Sequence, residues 1–312
     1  MTQTFVFLLV PGFSMIGLMS AIEPLRVANR FRPGLYRWYL LSVDGQAVAS
    51  SNGMSLNVDA GLELPIGTEA LFVVAGFEPL AHFDMPLARW LQRRDHEVKA
   101  LGAIDTGSFI LAEAGLFQRQ RLTLHWEALG AFSERFPHLS ISPELFEIDA
   151  RRITCAGGTS GLDLMLNLIG QRHGPSLAMQ VSEQFVVGRI RSQQDHQRLA
   201  ITSRYSLHNK KLVRVIDAME SNSESPLSCE QLADKISVST RQLERLFRQH
   251  LNCTPSAFYL NLRLDKARQL LRQSDLSVLQ VSIACGFDSA SYFSRRYQQR
   301  FALSPSRDRS EA

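Results

Sequence analysis

Two groups of polar residues in this sequence stand where they could do chemistry. The first centres on Asp105. Lys99–Ile104 reads as an apolar strand that runs through Asp105-Thr106-Gly107-Ser108 into a helix over Gly107–Gly115. A strand that turns into a helix at one polar residue, with glycine two positions later, has the geometry of a nucleophile elbow. The same residues also suit a plain helix cap, in which Asp105 accepts from the free N–H groups of the first turn. A carboxylate there gains from the helix dipole but is a poor acyl acceptor, so the residue type favours binding over catalysis. The second group is Arg241, Glu244, Arg245 and Arg248, with Ser291, Ser294, Arg295 and Arg296 further on. An arginine on an exposed helix face can pair with O6 and N7 of guanine. On an ordinary surface helix it is simply solvated. The framework around each group decides between these alternatives.

The chain has 312 residues, 45% of them hydrophobic and 21% charged, which suits about two globular domains. The apolar run Thr4–Val10 is short, lacks a basic flank and stops at Pro11-Gly12, unlike a signal peptide. No apolar stretch approaches the ~20 residues that cross a bilayer. Cys155, Cys229, Cys253 and Cys285 show no CxxC or Cys/His ligand spacing. A disulfide framework or a zinc site is therefore not expected, and a reducing cytoplasm is. Charge is uneven: from His208 onward 16 Lys and Arg face 11 Asp and Glu, against 18 and 19 before it. A basic C-terminal third suits a nucleic-acid partner, and equally a solvated basic surface.

The first part of the chain alternates strand and helix patterns. Strands are expected at Phe5–Val10, Trp38–Val43, Leu71–Ala75, Lys99–Ile104 and Ile153–Ala156. Helices are expected at Met15–Arg30, Leu87–Arg94, Gly107–Gly115, Leu162–Gln171 and Ser176–Val187. This alternation predicts a mostly parallel sheet, flavodoxin-like, with helices on both faces. The polar run Arg191–Arg198 has no apolar face. A linker is expected over 191–209, between an N-terminal domain over 1–190 and an all-helical domain over 210–309.

Within the helical part, Ser228 can cap a helix over Cys229–Lys235, and Ser239 a second over Thr240–His250 after the turn Ile236-Ser237-Val238. Val238, Leu243, Leu246 and Phe247 make an inward stripe on the second helix, leaving Arg241, Glu244, Arg245 and Arg248 outside. Two short helices joined by a tight turn, the second carrying basic residues outward, are the mechanics of major-groove reading. The pattern recurs: Val281-Ser282 and Gly286-Phe287 repeat Leu232-Ala233 and Ser237-Val238 at an offset of 49, and Phe293 and Tyr297 repeat Leu243 and Phe247 at 50. A second reading helix is thus expected from about Ser289 to Arg300, exposing Ala290, Ser291, Ser294, Arg295 and Arg296. Gly286 suits a turn with positive φ. An amphipathic helix from Pro255 to Leu271 would hold the two units at a fixed separation.

Ser239-Thr-Arg-Gln-Leu-Glu-Arg-Leu-Phe247, Leu264-Asp-Lys-Ala-Arg-Gln-Leu-Leu271, Cys285-Gly-Phe-Asp-Ser-Ala-Ser-Tyr-Phe293 and Ser304-Pro-Ser306 resemble the AraC/XylS family of transcription regulators. The resemblance covers Leu212 to about Arg309 and is specific. It departs at Ala302, where the family usually has glycine, and some strain in that last turn is expected.

In the first part, Phe7–Gly12 with Glu23, the Asp105 elbow, Leu124-His125-Trp126-Glu127 and Cys155-Ala-Gly-Gly-Thr159 occur in an order similar to the PfpI type of class I glutamine amidotransferase-like fold. They resemble in particular the branch fused to AraC-type domains. The resemblance implies a cysteine at the elbow of enzymatic relatives, supported by a histidine and a first-helix glutamate. Here Asp105 stands in the cysteine's place, with His125 and Glu23 as its expected neighbours. It implies a non-catalytic sensor pocket built from Asp105, Thr106, His125, Trp126, Glu23 and, at the rim, Phe13. The ligands implied are of the betaine, carnitine or basic amino-acid kind. Trp126 and His125 suit core packing as well as a cage.

The expected function is ligand-dependent activation of catabolic genes, with no cofactor and no metal. Expected partners are a double-stranded DNA operator, RNA polymerase, a small-molecule effector and a second copy joined through the N-terminal domain; no membrane is expected. The competing readings are a DNA-tethered amidase or hydrolase, and a constitutive DNA-binding protein whose front domain only dimerises.

Overall fold

The computed structural model describes residues 2–310. The chain folds as two compact units, Met1–Gln197 and Arg198–Ala312. No helix among the described residues is long and apolar enough to cross a membrane.

The first unit is built on a six-stranded sheet. Its strands are β1 (Gln3–Leu9), β2 (Tyr36–Leu41), β5 (Thr68–Val74), β6 (Ala100–Ile104), β9 (Phe146–Asp149) and β10 (Arg152–Cys155), ordered β2-β1-β5-β6-β10-β9. Two small pairs, β3 (Val48–Ala49) with β4 (Ser55–Leu56) and β7 (Arg121–Leu122) with β8 (Ser140–Ile141), stand apart. The central strands pair in parallel, and only β9 runs antiparallel, against β10. That edge strand was not expected: Phe146–Asp149 is four residues long and mixes two acids with two apolar residues, too little for a period to show.

Alternate residues of β1 go to opposite faces. Phe5, Phe7 and Leu9 join Phe72 and Val74 in a core with Leu18, Leu25, Leu164, Ile169 and Val181. These come from α1 (Met15–Phe31), α5 (Ser160–His173) and α6 (Pro175–Glu183). Val6, Leu8, Leu71 and Val73 are equally buried on the other side, where α2 (Met85–Asp95) and α3 (Gly107–Glu113) pack together. Burial on both faces explains why these strands read as apolar runs rather than alternations. A short α4 (Leu129–Arg135) completes the unit. The strand order reverses between β1 and β5, and in doubly wound sheets ligands bind outside the carboxyl ends of the strands near such a reversal.

The polar run expected as a linker is, in its first half, part of this unit. Arg191 pairs with Asp163, and Gln197 donates to Thr123, Leu124 and Glu144. A segment without an apolar face has packed by supplying donors to buried acceptors.

The second unit is helical: α7 (Ile201–Arg204), α8 (Lys210–Ser221), α9 (Cys229–Asp234), α10 (Thr240–Leu251), α11 (Pro255–Gln273), α12 (Val278–Ala284), α13 (Ala290–Phe301) and α14 (Pro305–Ser310). Ser228, Ser239 and Ser277 each close a reciprocal capping box with a glutamine three residues on, satisfying two otherwise free donors at each helix start. The repeat extends to backbone conformation. Ser237 and Gly286, the corresponding turn residues, lie at φ 53 and 70, and Asn252 and Ala302, which end the second helix of each pair, at 52 and 60. Ala302 thus adopts the left-handed conformation for which glycine is the usual choice.

Candidate functional site

The carboxyl ends of β1, β5, β6 and β10 bring four loops together. Asp105, directly after β6, sits at φ 63, a left-handed conformation that costs a non-glycine residue about 1–2 kcal/mol. The surroundings enforce it. Its N–H donates to the Cys155 carbonyl at 3.0 Å, and the Thr106 hydroxyl donates to the Gly76 carbonyl. Gly107 lies so close to the Val73 carbonyl that a Cβ would overlap the oxygen. Gly157, at φ 77 after β10, gives the Asp105 carboxyl its space: a Cβ there would collide with Oδ2. The elbow expected from sequence is therefore formed, and it is held by contacts with its two neighbouring strands, β5 and β10, and the loops that follow them.

Asp105 is 8% exposed. Burial is the main reason its carboxyl is pushed up to about 7, with Glu127 adding repulsion, while hydrogen bonds from Ser14 and the Thr106 N–H act against the rise. Ser14 also caps α1, accepting from Gly17 N–H at 3.2 Å. His125, Trp126 and Glu127 are half-buried on the loop after β7. Burial holds the His125 imidazole below its ordinary value, and Glu127 opposes that shift. The His125 and Trp126 rings lie 5.7 Å apart, and His125 Nδ1 is 3.9 Å from Glu127 Oε2. Glu127 is thus the residue felt by both Asp105 and His125.

Two sequence-based assignments are corrected. Glu23, expected beside Asp105, instead pairs with Arg26 at 2.6 Å on the outer part of α1. Ser14, at the very start of that helix, is the residue that reaches the elbow. Phe13, expected at the rim, is fully buried in the sheet core, its backbone bridged to Ser50 and Gly76. Glu127 and Ser14 were missed. The signal for Ser14 was its place directly before a helix, which is the capping position. Among the described residues no cluster of three or more His, Cys, Asp or Glu is placed to hold a metal ion.

In the second unit, Leu243 and Phe247 anchor α10 while Arg241, Glu244, Arg245 and Arg248 are all exposed. With Ser239 and Gln242 these four line one open concavity of about 470 Å³. Phe293 and Tyr297 anchor α13 in the same way, with Ser291 and Arg295 exposed. Ala290, Ser294 and Arg296, expected outside, are half-buried; Arg296 donates to Gln299 at 3.0 Å. Tyr292 was missed. It is 43% exposed, with Arg295 and Arg296 5.8 and 5.9 Å from its ring centre. It corresponds at the offset of 50 to Gln242, which is how the repeat could have found it.

The second helix pair is tied to α11. Arg263 donates to the Cys285 carbonyl at 2.7 Å and to the Gly286 carbonyl, and stands 4.1 Å over the Phe287 ring. Arg268 and Arg272 converge on fully buried Asp308, which also accepts from the Tyr297 hydroxyl at 2.7 Å. These bonds fix α12 and α13 against α11.

Comparison with known proteins agrees with both halves. Residues 4–171 match the DJ-1/PfpI family, and residues 232–311 match a helix-turn-helix domain family. The HTH-type transcriptional regulator CdhR of Pseudomonas aeruginosa is 63% identical over 309 residues, 99% of this chain and 92% of the relative. The HTH-type transcriptional regulator GbdR of the same species is 41% identical over 308 residues, 98% of this chain and 84% of the relative. The crystal structure of an AraC family transcriptional regulator from Pseudomonas putida matches at TM-score 0.53 and 29% identity, covering 59% of this chain and 99% of that one. The chain belongs to the AraC-type helix-turn-helix transcription regulators that carry a DJ-1/PfpI domain ahead of their DNA-binding helices.

Proposed function

We propose that this regulator is a ligand-dependent activator of catabolic genes, acting in the cytoplasm, whose first unit senses a small cationic or zwitterionic metabolite of the betaine, carnitine or amino-acid type. The observation that carries this reading is the Asp105 elbow. A carboxyl with Ser14 beside it, Glu127 nearby and the Trp126 ring on the same loop as Glu127 offers a cation both charge and an aromatic face. The cation would also relieve the repulsion between Asp105 and Glu127. Asp105 in the place of an enzymatic cysteine supports binding rather than turnover.

The second unit would read a double-stranded DNA operator with α10 and α13 in successive major grooves, through Arg241, Glu244, Arg245, Arg248, Ser291, Ser294, Arg295 and Arg296. Activation would then involve RNA polymerase and a homodimer joined through the first unit. The effector must favour the activating state by differential affinity.

The test is a thermal-shift screen of the full chain against quaternary amines, carnitine and basic amino acids, with uncharged isosteres as controls. A true effector at a hundred times its Kd stabilises by about 2.7 kcal/mol. The expected result is a shift with a cation, none with its isostere, and loss of the shift in Asp105→Asn. A shift that persists in Asp105→Asn removes Asp105 from the site.

A further inference from the structure

The last stretch of the first unit, residues 189–197, runs past the starts of α5 and β9 and the loop after β7, and is fastened at three points. Arg191 holds Asp163, which is buried in the first turn of α5, through its main-chain N–H at 2.9 Å and its guanidinium at 2.6 and 3.0 Å. The same guanidinium donates to the Thr159 hydroxyl at 2.8 Å. Gln193 donates to buried Glu147 at 2.7 Å, and its carbonyl accepts from Leu145 N–H. Gln197 donates its amide to the Thr123 hydroxyl and to the Leu124 and Glu144 carbonyls at 2.8–3.0 Å.

Two of these fasteners end on the loops that build the pocket. Thr159 is two residues from Gly157, on which the Asp105 carboxyl rests. Leu124 immediately precedes His125, Trp126 and Glu127. The next residue after Gln197, Arg198, opens the DNA-reading unit. The Gln197 fastening is also not an optimum. Its two amide protons are shared among three acceptors, while its own Oε1 is buried without a partner. A buried carbonyl left unsatisfied costs about 1–3 kcal/mol, so this end is held with little margin.

We infer that residues 191–197 are a strap whose fastening to the Gly157–Thr159 and Leu124–Glu127 loops couples the state of the pocket to the chain entering the DNA-binding unit. A change at Asp105 displaces Gly157 and reaches Thr159 and Arg191 along the α5 start. A change at Glu127 reaches Gln197 through the Leu124 carbonyl. The strap has two conditions, fastened and loosened, and the pocket biases the balance between them. This inference rests on the sensor reading for what occupies the pocket, but its test needs no ligand.

The experiment is hydrogen exchange on the full chain, comparing wild type, Asp105→Asn and Gln197→Ala. In Asp105→Asn the amides of 191–197 are expected to exchange about tenfold faster, while β5 keeps its protection. Because coupling is reciprocal, Gln197→Ala must in turn speed exchange in the 124–127 loop. If Gln197→Ala loses β5 protection and so unfolds globally, Arg191→Lys makes the test from the other end: it keeps the charge facing Asp163 but loses the fork, and it should speed exchange at 157–159. Strap amides that exchange alike in wild type and Asp105→Asn, or a response in one direction only, overturn the coupling. Absence of any amine in the thermal-shift screen would sink the sensor reading without touching this result.

Discussion

Asp105 and Arg245 both stand near the start of a helix, yet they are presented in opposite ways. Asp105 is buried, left-handed and wedged against a glycine from another strand. Arg245 is exposed on the second turn of a regular helix that Ser239 caps. The first arrangement fixes one carboxyl by long-range contacts and leaves it little freedom to change. The second needs only a cap and an apolar stripe, so the outward residues can vary while the helix stays in place. The proposed sensor pocket and the proposed reading face thus make different demands on sequence, and substitutions should separate them.

The largest effect is expected at Gly157. Alanine there meets the Asp105 carboxyl and also strains the backbone, so Gly157→Ala should cost about 2–4 kcal/mol. Gly158, at φ 56 with open space around its Cβ position, should cost only about 1 kcal/mol when changed to alanine. Chemical denaturation of the two variants checks the contrast. Equal losses would mean that Gly157 does not press closely on Asp105.

Protonation sharpens the comparison next. The Asp105 carboxyl is raised from 3.8 to about 7 in the folded state, so the native chain holds a proton that the unfolded chain releases. Stability should therefore fall as pH rises from about 4 to about 7, and level off above. Asp105→Asn removes this dependence. Its melting temperature should exceed that of the wild type by more at pH 8 than at pH 5. A constant difference across this range would place Asp105 in a wetter site.

On the reading face, Arg245→Ala and Arg295→Ala should each lose about 1–3 kcal/mol of discrimination, at base pairs about 10 bp apart. The faces are unequal. Arg241 and Arg248 on α10 correspond to Ser291 and Gln298 on α13 at the offset of 50. Charge removal from α10 should therefore reduce the salt dependence of binding more than removal from α13, by about one unit of slope for each phosphate no longer neutralised. Binding of both variants to operator libraries at several salt concentrations measures both quantities. Uniform losses at every base would make these arginines backbone anchors. The smallest effect is expected at Ala302, where glycine should gain about 0.5–1 kcal/mol by relieving its left-handed turn.

The same contrast explains what could be read from the sequence. The α9–α10 and α12–α13 pairs were legible because Leu243, Phe247, Phe293 and Tyr297 repeat at helical spacing behind serine caps. The buried strands around Phe7, Leu71 and Leu101 were legible as apolar runs. The elbow was legible because strand, Asp105 and Gly107 are contiguous. The rest of the pocket was not, since Ser14, Asp105, Glu127 and Gly157 meet only through sheet order. Glu23 came in as the first-helix glutamate that the resemblance implies, and Phe13 as a residue of the loop after the first strand; Phe13 turns into the core, and Glu23 lies beyond the first turns of α1. The strap was opaque for a related reason: Arg191, Gln193 and Gln197 read as solvated residues until their buried acceptors are in place.

The most direct test is operator binding by wild type and Asp105→Ala, with and without the compound that passes the thermal-shift screen. Only the wild type should change its operator binding or its transcriptional output when the effector is added. An Asp105→Ala protein that keeps the full response would contradict the assignment of this pocket as the sensor.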